Sequence, residues 1–249
     1  MVANVRAAAT WCARVFGFVE HVQTPDGKHV QLGLPGGGEL LVGEVRPRPS
    51  LARDGRFAAI LVEVEDAAAT LARAVDNYAS VESGLHDGEA GERQAMIEDI
   101  FGHRWLLVQA SRSEPRAHVV PVLSVANASA AVAWYARVFG FVELQTSARH
   151  PVRLSLGGGD LIIGETLPPP RLTRDDPSPE ILLKVEDAAA TLARAVDTGA
   201  TVVFELRDIE AGERQTTVDD VFGHRWLLTQ TLVDTAPEQW GGKAVTPRP

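Results

Sequence analysis

Cysteine and long apolar runs are both scarce in this sequence, and each scarcity excludes a class of protein. The single cysteine, Cys12, can form neither an internal disulfide framework nor a cysteine-based zinc site. No apolar run approaches the roughly eighteen residues of a membrane span, and the N-terminal residues do not resemble a signal peptide. We therefore expect a protein of the cytoplasm, a reducing compartment, with no membrane partner.

Basic residues are also few. The chain has 24 Lys and Arg against 33 Asp and Glu, which gives a formal net charge of -9 and an isoelectric point near 5.3. Nucleic-acid binding requires clustered cations, and no basic run occurs, so we expect no nucleic-acid partner. The remaining composition is that of a globular protein, and 249 residues suit one large domain or two small ones.

An internal duplication favours two domains. Four segments of the first half recur in the same order in the second half: ARVFGFVE at 13–20 and 136–143, VEDAAATLARAVD at 64–76 and 185–197, EAGERQ at 89–94 and 210–215, and FGHRWLL at 101–107 and 222–228. The offset falls from 123 to 121 residues near Pro25, which indicates a longer hairpin loop in the first copy. We expect domains at 1–112 and 117–232, followed by a C-terminal tail at 233–249.

The hydrophobic pattern of each copy predicts two modules of the form β-α-β-β-β. In the second copy, a strand at 119–125 precedes a helix whose N-cap is either Asn127 or Ser129 and which ends near Gly140. Further elements are predicted as strands at 142–146, 152–156 and 160–165, a Pro-rich loop at 168–179, a strand at 181–185, a helix after Asp187, and strands near 201–206, 214–218 and 224–230. The fold class is therefore α+β, with four modules in the chain.

The first copy departs from the second at two places. It begins almost at its first helix, so its sheet lacks the opening strand and has an exposed edge unless the C-terminal tail fills the gap. Tyr78 also stands where the second copy has the helix-ending Gly199. We therefore expect Asn77 to end that helix in the left-handed region.

The repeated FGHRWLL segment predicts a strand with two different faces. In the first copy, Trp105 should face the helices and belong to the core, whereas Arg104 and Leu106 should face the other way. The second copy repeats this pattern with Trp226 inside, and with Arg225 and Leu227 outside.

Each outward arginine should lie at the rim of an apolar surface. There it could contact a ligand, because a guanidinium offers several hydrogen-bond donors in a planar fork. The interpretation that we favour is an ion pair with a neighbour such as Glu92 in the first copy or Glu213 in the second.

The β-α-β-β-β pairing, the helix ending RVFGF, the VEDAAATLARAV helix and the D-x-FGHRW strand resemble the vicinal oxygen chelate superfamily. That superfamily includes glyoxalases, extradiol dioxygenases and bleomycin-resistance proteins, and its PhnB-like members with tandem domains are most similar to this chain. The resemblance covers all but the tail. It implies cupped mixed sheets whose concave side holds a metal site or a drug-binding cavity. It also implies two domains packed as a pseudo-twofold pair, in a monomeric pseudo-dimer or a loose homodimer.

The metal ligands of such relatives can be sought at matching positions. A glutamate stands near the end of the FGHRW-like strand in metal-dependent members, where this chain has Leu106 and Leu227. At the ligand position on the fifth strand only the second copy has a carboxylate, Glu180, and the end of the fourth strand could add Glu44 or Glu165. A catalytic divalent site usually needs three protein ligands, so we expect neither a metal nor another cofactor.

We therefore favour metal-free binding of a bulky, partly planar small molecule such as an antibiotic, which would give resistance by sequestration. The alternative is a metal-dependent lyase, isomerase or dioxygenase of the same superfamily. A third hypothesis is an interaction module whose cup is filled by its own side chains. The sequence identifies no catalytic residue. The candidate ligand-binding residues are Gln31, Arg104, Leu106, Arg153, Glu180, Arg225 and Leu227.

Overall fold

The computed structural model describes residues 4–34, 38–43, 58–88, 91–109, 119–145, 151–165 and 180–244. These residues form two compact units. Those of the first unit fall within 1–49, 59–120 and 241–249, and those of the second within 50–58 and 121–240. The Pro-rich loop predicted at 168–179 lies outside the described residues.

The described elements follow the predicted order of strands and helices. In chain order they are α1 (Val5–Phe16), β1 (Val19–Gln23), β2 (His29–Gly33), β3 (Glu39–Gly43), β4 (Ala58–Glu63), α2 (Ala67–Asp76), β5 (Ser80–Asp87), β6 (Arg93–Glu98), β7 (Arg104–Gln109), β8 (Val119–Val125), α3 (Ala128–Phe139), β9 (Val142–Gln145), β10 (Val152–Leu156), β11 (Gly159–Glu165), β12 (Glu180–Lys184), α4 (Ala188–Asp197), β13 (Thr201–Ile209), β14 (Glu213–Asp219), β15 (Arg225–Thr231), a short 3-10 helix (Pro237–Trp240) and β16 (Lys243–Ala244).

Each unit contains two groups of four hydrogen-bonded strands. Their orders are β16-β1-β2-β3 and β5-β6-β7-β4 in the first unit, and β8-β11-β10-β9 and β12-β15-β14-β13 in the second. The pairs β4 with β7, β8 with β11 and β12 with β15 are parallel, whereas neighbours joined by hairpins are antiparallel. The α+β class and the mixed sheets of the tandem modules are confirmed.

The C-terminal tail extends a sheet of the first unit, although not at the edge where the opening strand is missing. Among the described residues, which begin at Asn4, no strand precedes α1, and β3 pairs only with β2. β16 pairs instead with β1 at the opposite edge of that sheet, with Ala244 opposite Val22. The described part of the tail therefore covers the β1 edge and not the β3 edge. The domain boundaries at 1–112, 117–232 and 233–249 stay a prediction.

The helices form a layer between the two sheets of each unit. In the first unit, α1 packs on β2 and β3, α2 packs on β5, β6 and β7, and the two helices contact each other. The second unit repeats this arrangement with α3 and α4. Trp105 and Trp226 are buried in the two cores, as predicted. Cys12 is also buried, and loss of hydration together with the charge of Asp99 raises the pKa of its thiol to about 12.

The end of α2 differs from the prediction. Tyr78 itself takes the left-handed conformation, with φ at +67°, whereas Asn77 stays at −103°. The backbone N–H of Ala79 then donates to the carbonyl of Ala74 at 3.0 Å and closes the helix. Asn77 acts differently, because its side-chain amide donates to the carbonyl of Arg73 at 2.7 Å. A residue other than glycine in this conformation costs about 1–2 kcal/mol.

A buried aspartate ties the repeated FGHRW strand of the second unit to α3. Asp220 accepts hydrogen bonds from the Tyr135 hydroxyl at 2.7 Å and from Trp226 Nε1 at 2.9 Å. Its other oxygen accepts from the backbone N–H groups of Phe222 and His224 at 2.8 and 2.9 Å. Burial alone would raise the pKa of Asp220, but these donors and His224 outweigh it and hold that pKa below its ordinary value.

Candidate functional site

The repeated strand separates a core face from an outer face in both units. On β15, Trp226 and Leu228 are buried against the helices, whereas Arg225 and Leu227 are only half-buried on the other side. We call that side, across β12, β15, β14 and β13, the second-unit outer face. The corresponding side of β4, β7, β6 and β5, which carries Arg104 and Leu106, is the first-unit outer face.

An apolar row crosses the second-unit outer face. Strand register places Leu182 and Thr217 on either side of Leu227, and Phe204 beyond Thr217. Phe204 is 60% exposed and Leu182 is 40% exposed. Exposure of large apolar side chains to water is unfavourable, so this row is suited to receive an apolar partner that covers it.

A polar row lies beside the apolar one. Arg225 forms a two-point ion pair with Asp219 on the adjacent strand, with Nε and Nη2 at 2.7 and 2.9 Å from the two carboxylate oxygens. Glu180 is the register partner of Arg225 on the other side and accepts a hydrogen bond from Thr217 Oγ1 at 3.2 Å. The arginine is therefore already partnered, and Glu180 has one oxygen in that hydrogen bond.

Glu180 is a carboxylate in an environment that disfavours its charge. Burial raises the pKa of Glu180 above its ordinary value, although the hydrogen bond from Thr217 and the charge of Arg225 act in the opposite direction. A carboxyl with a raised pKa can exist in its protonated form closer to neutrality, where it donates as well as accepts a hydrogen bond. This position can thus recognise a hydroxyl, an amine or a carbonyl on a ligand.

The raised pKa of Glu180 predicts how one substitution changes stability with pH. The folded state holds the proton more tightly than the unfolded state, so stability falls as pH rises from the ordinary value of 4.5 through the folded pKa. Glu180→Gln should therefore be more stable than the parent protein at pH 7, and the difference should vanish at about pH 4 or below. Urea unfolding at both pH values would measure it, and an equal gain at both would contradict the assignment.

The other end of the face is closed by hydrogen bonds between its own side chains. Glu213 accepts from Gln215 Nε2 at 2.9 Å and from Thr229 Oγ1 at 3.0 Å. Because these polar groups satisfy one another, the part of the face available to a ligand is the region around Leu227 and Phe204.

The first-unit outer face has the same backbone but different side chains. Leu61 and Met96 flank Leu106, and Ser83 stands in the register position that Phe204 holds in the second unit. Leu61 is buried, unlike its counterpart Leu182. The first-unit face therefore exposes less apolar surface than the second-unit face.

The partners of the outward arginines differ from those suggested by the sequence. Arg104 donates through Nε and Nη2 to Glu82 Oε2, at 2.9 and 2.7 Å, and not to Glu92. In the second unit the partner of Arg225 is Asp219 and not Glu213. The ion-pair interpretation itself is supported at both positions.

The remaining predicted residues lie on the other sheets. Gln31 is on β2 opposite Leu41, and Arg153 is on β10, where its Nε donates to Asp160 Oδ2 at 2.9 Å. In each unit the two sheets share one core that contains the helices, so their outer faces are turned away from each other. Within its own unit, Gln31 therefore does not share a face with Leu106, and Arg153 does not share one with Leu227.

The sequence did not identify Phe204 as a site residue. Regular alternation along β13 would place Phe204 on the same side as Val202, whose register partner is the buried Val218. An irregularity between Val202 and Phe204 shifts the register and turns the ring to the outer face. Such a bulge leaves no clear mark in the sequence.

The described residues do not fit a metal site. In the part of the chain that the structure describes, no group of three His, Cys, Asp or Glu side chains could hold a metal ion. Glu165 is exposed, and its carboxylate accepts from the backbone N–H of Ala128 at 3.3 Å. Glu44 lies outside the described residues. None of the described helices is long and apolar enough to cross a membrane.

Comparison with known proteins identifies a family by sequence and a shared fold by structure. The sequence model of the Glyoxalase/Bleomycin resistance protein/Dioxygenase superfamily matches residues 1–107 and 116–228. Uncharacterized proteins of Mycobacterium tuberculosis and Mycobacterium bovis are each 32% identical over 128 residues, which covers 45% of this chain and 73% and 82% of theirs. The crystal structure of glyoxalase I from Zea mays has a TM-score of 0.66 at 13% identity, covering 92% of this chain and 89% of the maize chain.

Proposed function

Because the chain belongs to the Glyoxalase/Bleomycin resistance protein/Dioxygenase superfamily, we propose that it binds a bulky, partly planar small molecule such as an antibiotic. The binding uses no metal, and it protects the cell by sequestering the molecule. We propose the second-unit outer face as the principal site, lined by Glu180, Arg225 and Leu227, with Phe204 and Leu182 added from the structure. Arg104, Leu106, Gln31 and Arg153 stay predictions.

The exposed ring of Phe204, in one row across the strands with Thr217, Leu227 and Leu182, is the observation that carries this proposal. A planar ligand can stack on the ring and cover the leucines at the same time. Covering about 300 Å² of apolar surface contributes roughly 7 kcal/mol at ~25 cal/mol/Å² before the costs of association. Micromolar affinity can therefore be reached by noncovalent contacts alone, without a reaction of the ligand.

The polar row would then orient the ligand. Glu180 can bond a hydroxyl or an amine at the edge of a planar ring system, since it lies two residues before Leu182 along β12 and so on the same face. Arg225 stays paired with Asp219, so the side of the site beside Glu180 carries an ion pair with no net charge. The ligand that fits best is thus a polycyclic molecule with a hydrogen-bonding substituent.

Calorimetric titration with daunorubicin, a planar tetracycle that carries an amino sugar, tests the proposal. We expect micromolar binding that is unchanged after EDTA treatment, and a Kd raised about 5- to 10-fold in Phe204→Ser, because the loss of one stacked ring removes about 1 kcal/mol or slightly more. Serine is the residue of the first copy at this position, Ser83, so the variant is compatible with the strand.

Two outcomes would contradict the proposal. The first is equal affinity for daunorubicin in Phe204→Ser and the parent protein. The second is a stoichiometric metal, measured by mass spectrometry, whose removal abolishes binding. The second result would support the metal-dependent lyase, isomerase or dioxygenase instead.

A further inference from the structure

A groove in the first unit lies away from both outer faces. It is an open depression with a volume of about 470 Å³. Its walls come from one side of α1, from the residues that end α2, and from the turn that precedes β7. The side chains that matter below are Arg6, Thr10, Arg14, Asn77, Tyr78 and Ile100.

The groove carries two cations without anionic partners. Arg6 and Arg14 are both exposed, and no carboxylate among the described residues lies within ion-pair distance of either. They stand two turns apart on α1, about 12 Å along the helix axis. Arg6 lies in the first turn of α1, which contains no acidic residue, and a cation there opposes the helix dipole. An anion in the groove would offset this unfavourable interaction of Arg6 with the helix dipole.

An aromatic ring stands at the rim. Tyr78 is 84% exposed and is the only residue other than glycine with positive φ in the described part of the chain. Its backbone conformation is unfavourable and its side chain gains little from packing, so the fold alone does not explain a tyrosine there. Ile100, across the groove, is a second large apolar residue exposed to solvent.

The duplication supplies an internal comparison. The scaffold of the groove is kept in both copies, since Trp11 Nε1 donates to the carbonyl of Asn77 and Trp134 Nε1 donates to that of Thr198. The rim is not kept. At the positions of Arg6, Thr10, Asn77 and Tyr78, the second copy has Ser129, Ala133, Thr198 and Gly199. The cation and the aromatic ring thus differ together between the two copies.

From these observations we infer a second ligand site: the groove binds a small planar aromatic molecule that carries an acid group, with Arg6 and Arg14 pairing the acid and Tyr78 stacking on the ring. Sulfonate, carboxylate and phosphate would all satisfy the arginines, because each presents several acceptor oxygens to guanidinium donors. This site is independent of the second-unit outer face and of the function proposed for it.

A matched pair of fluorescent probes tests the inference in the full chain. 8-Anilino-1-naphthalenesulfonate is a planar aromatic anion, and N-phenyl-1-naphthylamine has the same rings without the acid group. We expect the sulfonate to bind at least about 10-fold more tightly than the neutral probe, and its affinity to fall with added salt. Equal affinity for the two probes would overturn the proposal.

Variants that copy the second unit identify the site. Arg6→Ser and Tyr78→Gly should each raise the Kd for the sulfonate about 5-fold or more, because each removes one of the two interactions. Arg137→Ser, which removes the counterpart of Arg14 on α3, should leave it within about 2-fold, because Arg137 does not line the groove. Loss of binding in Phe204→Ser with none in Arg6→Ser would overturn the proposal.

Tyr78→Gly also separates a binding role from a structural one. Glycine relieves the left-handed strain, so the variant should melt about 2–4 °C higher than the parent protein while it binds the sulfonate more weakly. A variant that is more stable and yet binds less tightly cannot owe its loss to unfolding. Unchanged binding in this more stable variant would contradict the stacking role.

Discussion

Asp220→Ala is expected to lower the free energy of unfolding by about 3–5 kcal/mol, because removal of a buried charge leaves its donors without partners. Four groups would lose their acceptor: the Tyr135 hydroxyl, Trp226 Nε1 and two backbone N–H groups. The Tyr135 hydroxyl and Trp226 Nε1 are buried between α3 and β15, where water cannot replace the lost acceptor. Chemical denaturation followed by tryptophan fluorescence would measure the change.

The neighbouring aspartate is a matched control. Asp219 precedes Asp220 in the chain, but its carboxylate pairs with Arg225 on the partly exposed outer face. Asp219→Ala should therefore cost only about 0–1 kcal/mol. Equal losses in the two variants would show that the buried network does not stabilise the fold in the way proposed.

The same network predicts acid sensitivity. The pKa of Asp220 is lower in the folded state than its ordinary value of 3.8, so its stabilising contribution is complete above that value and is lost as pH falls through the folded pKa. Asp99 behaves alike, since its pKa is also lowered by His103 and Trp105 against the effect of burial. We expect Asp220→Ala to reduce the dependence of stability on pH below about 4.

Leu227→Trp is expected to abolish measurable binding of daunorubicin while the protein stays folded. Leu227 lies at the centre of the apolar row on the second-unit outer face, with Leu182 and Thr217 on either side. The added indole would occupy the space of the ligand and not that of the core, so stability should change by less than about 0.5 kcal/mol. Calorimetric titration and thermal unfolding measure the two effects.

Leu106→Trp is the control for this substitution. Leu106 is the counterpart of Leu227 in the first copy, where the neighbouring Leu61 is buried and Ser83 replaces the exposed ring. This variant should bind daunorubicin about as well as the parent protein. Parental affinity in Leu227→Trp would show that the second-unit outer face is not the binding site.

Much of the fold could be predicted from the sequence because the two copies carry the same sequence patterns. The two copies share their strand pattern and their helix caps, which are Asn127 and Asp187 in the second copy. There the local sequence decides the structure, and those predictions are confirmed. The inward position of Trp105 and Trp226 follows from alternation along a regular strand and is also confirmed.

The failures occur where the two copies differ or where distant residues decide. The prediction that Asn77 takes the left-handed conformation was wrong. The position of the hydrogen bond that closes the helix selects Tyr78, although tyrosine does not prefer this conformation. The partners of Arg104 and Arg225 depend on strand register and could not be read from the linear order. The candidate site was predicted only in part for the same reason, since a bulge in β13 turns Phe204 outward.

The pairing of β16 with β1 has a consequence for how the protein is made. These strands belong to the same sheet, yet Gln23 and its partner Lys243 are separated by nearly the whole described chain. The first unit can form its core early in synthesis, but its β1 edge stays open until β16 leaves the ribosome. During that interval the growing chain exposes an edge able to pair with other strands, so the second unit is translated while the first is still incomplete.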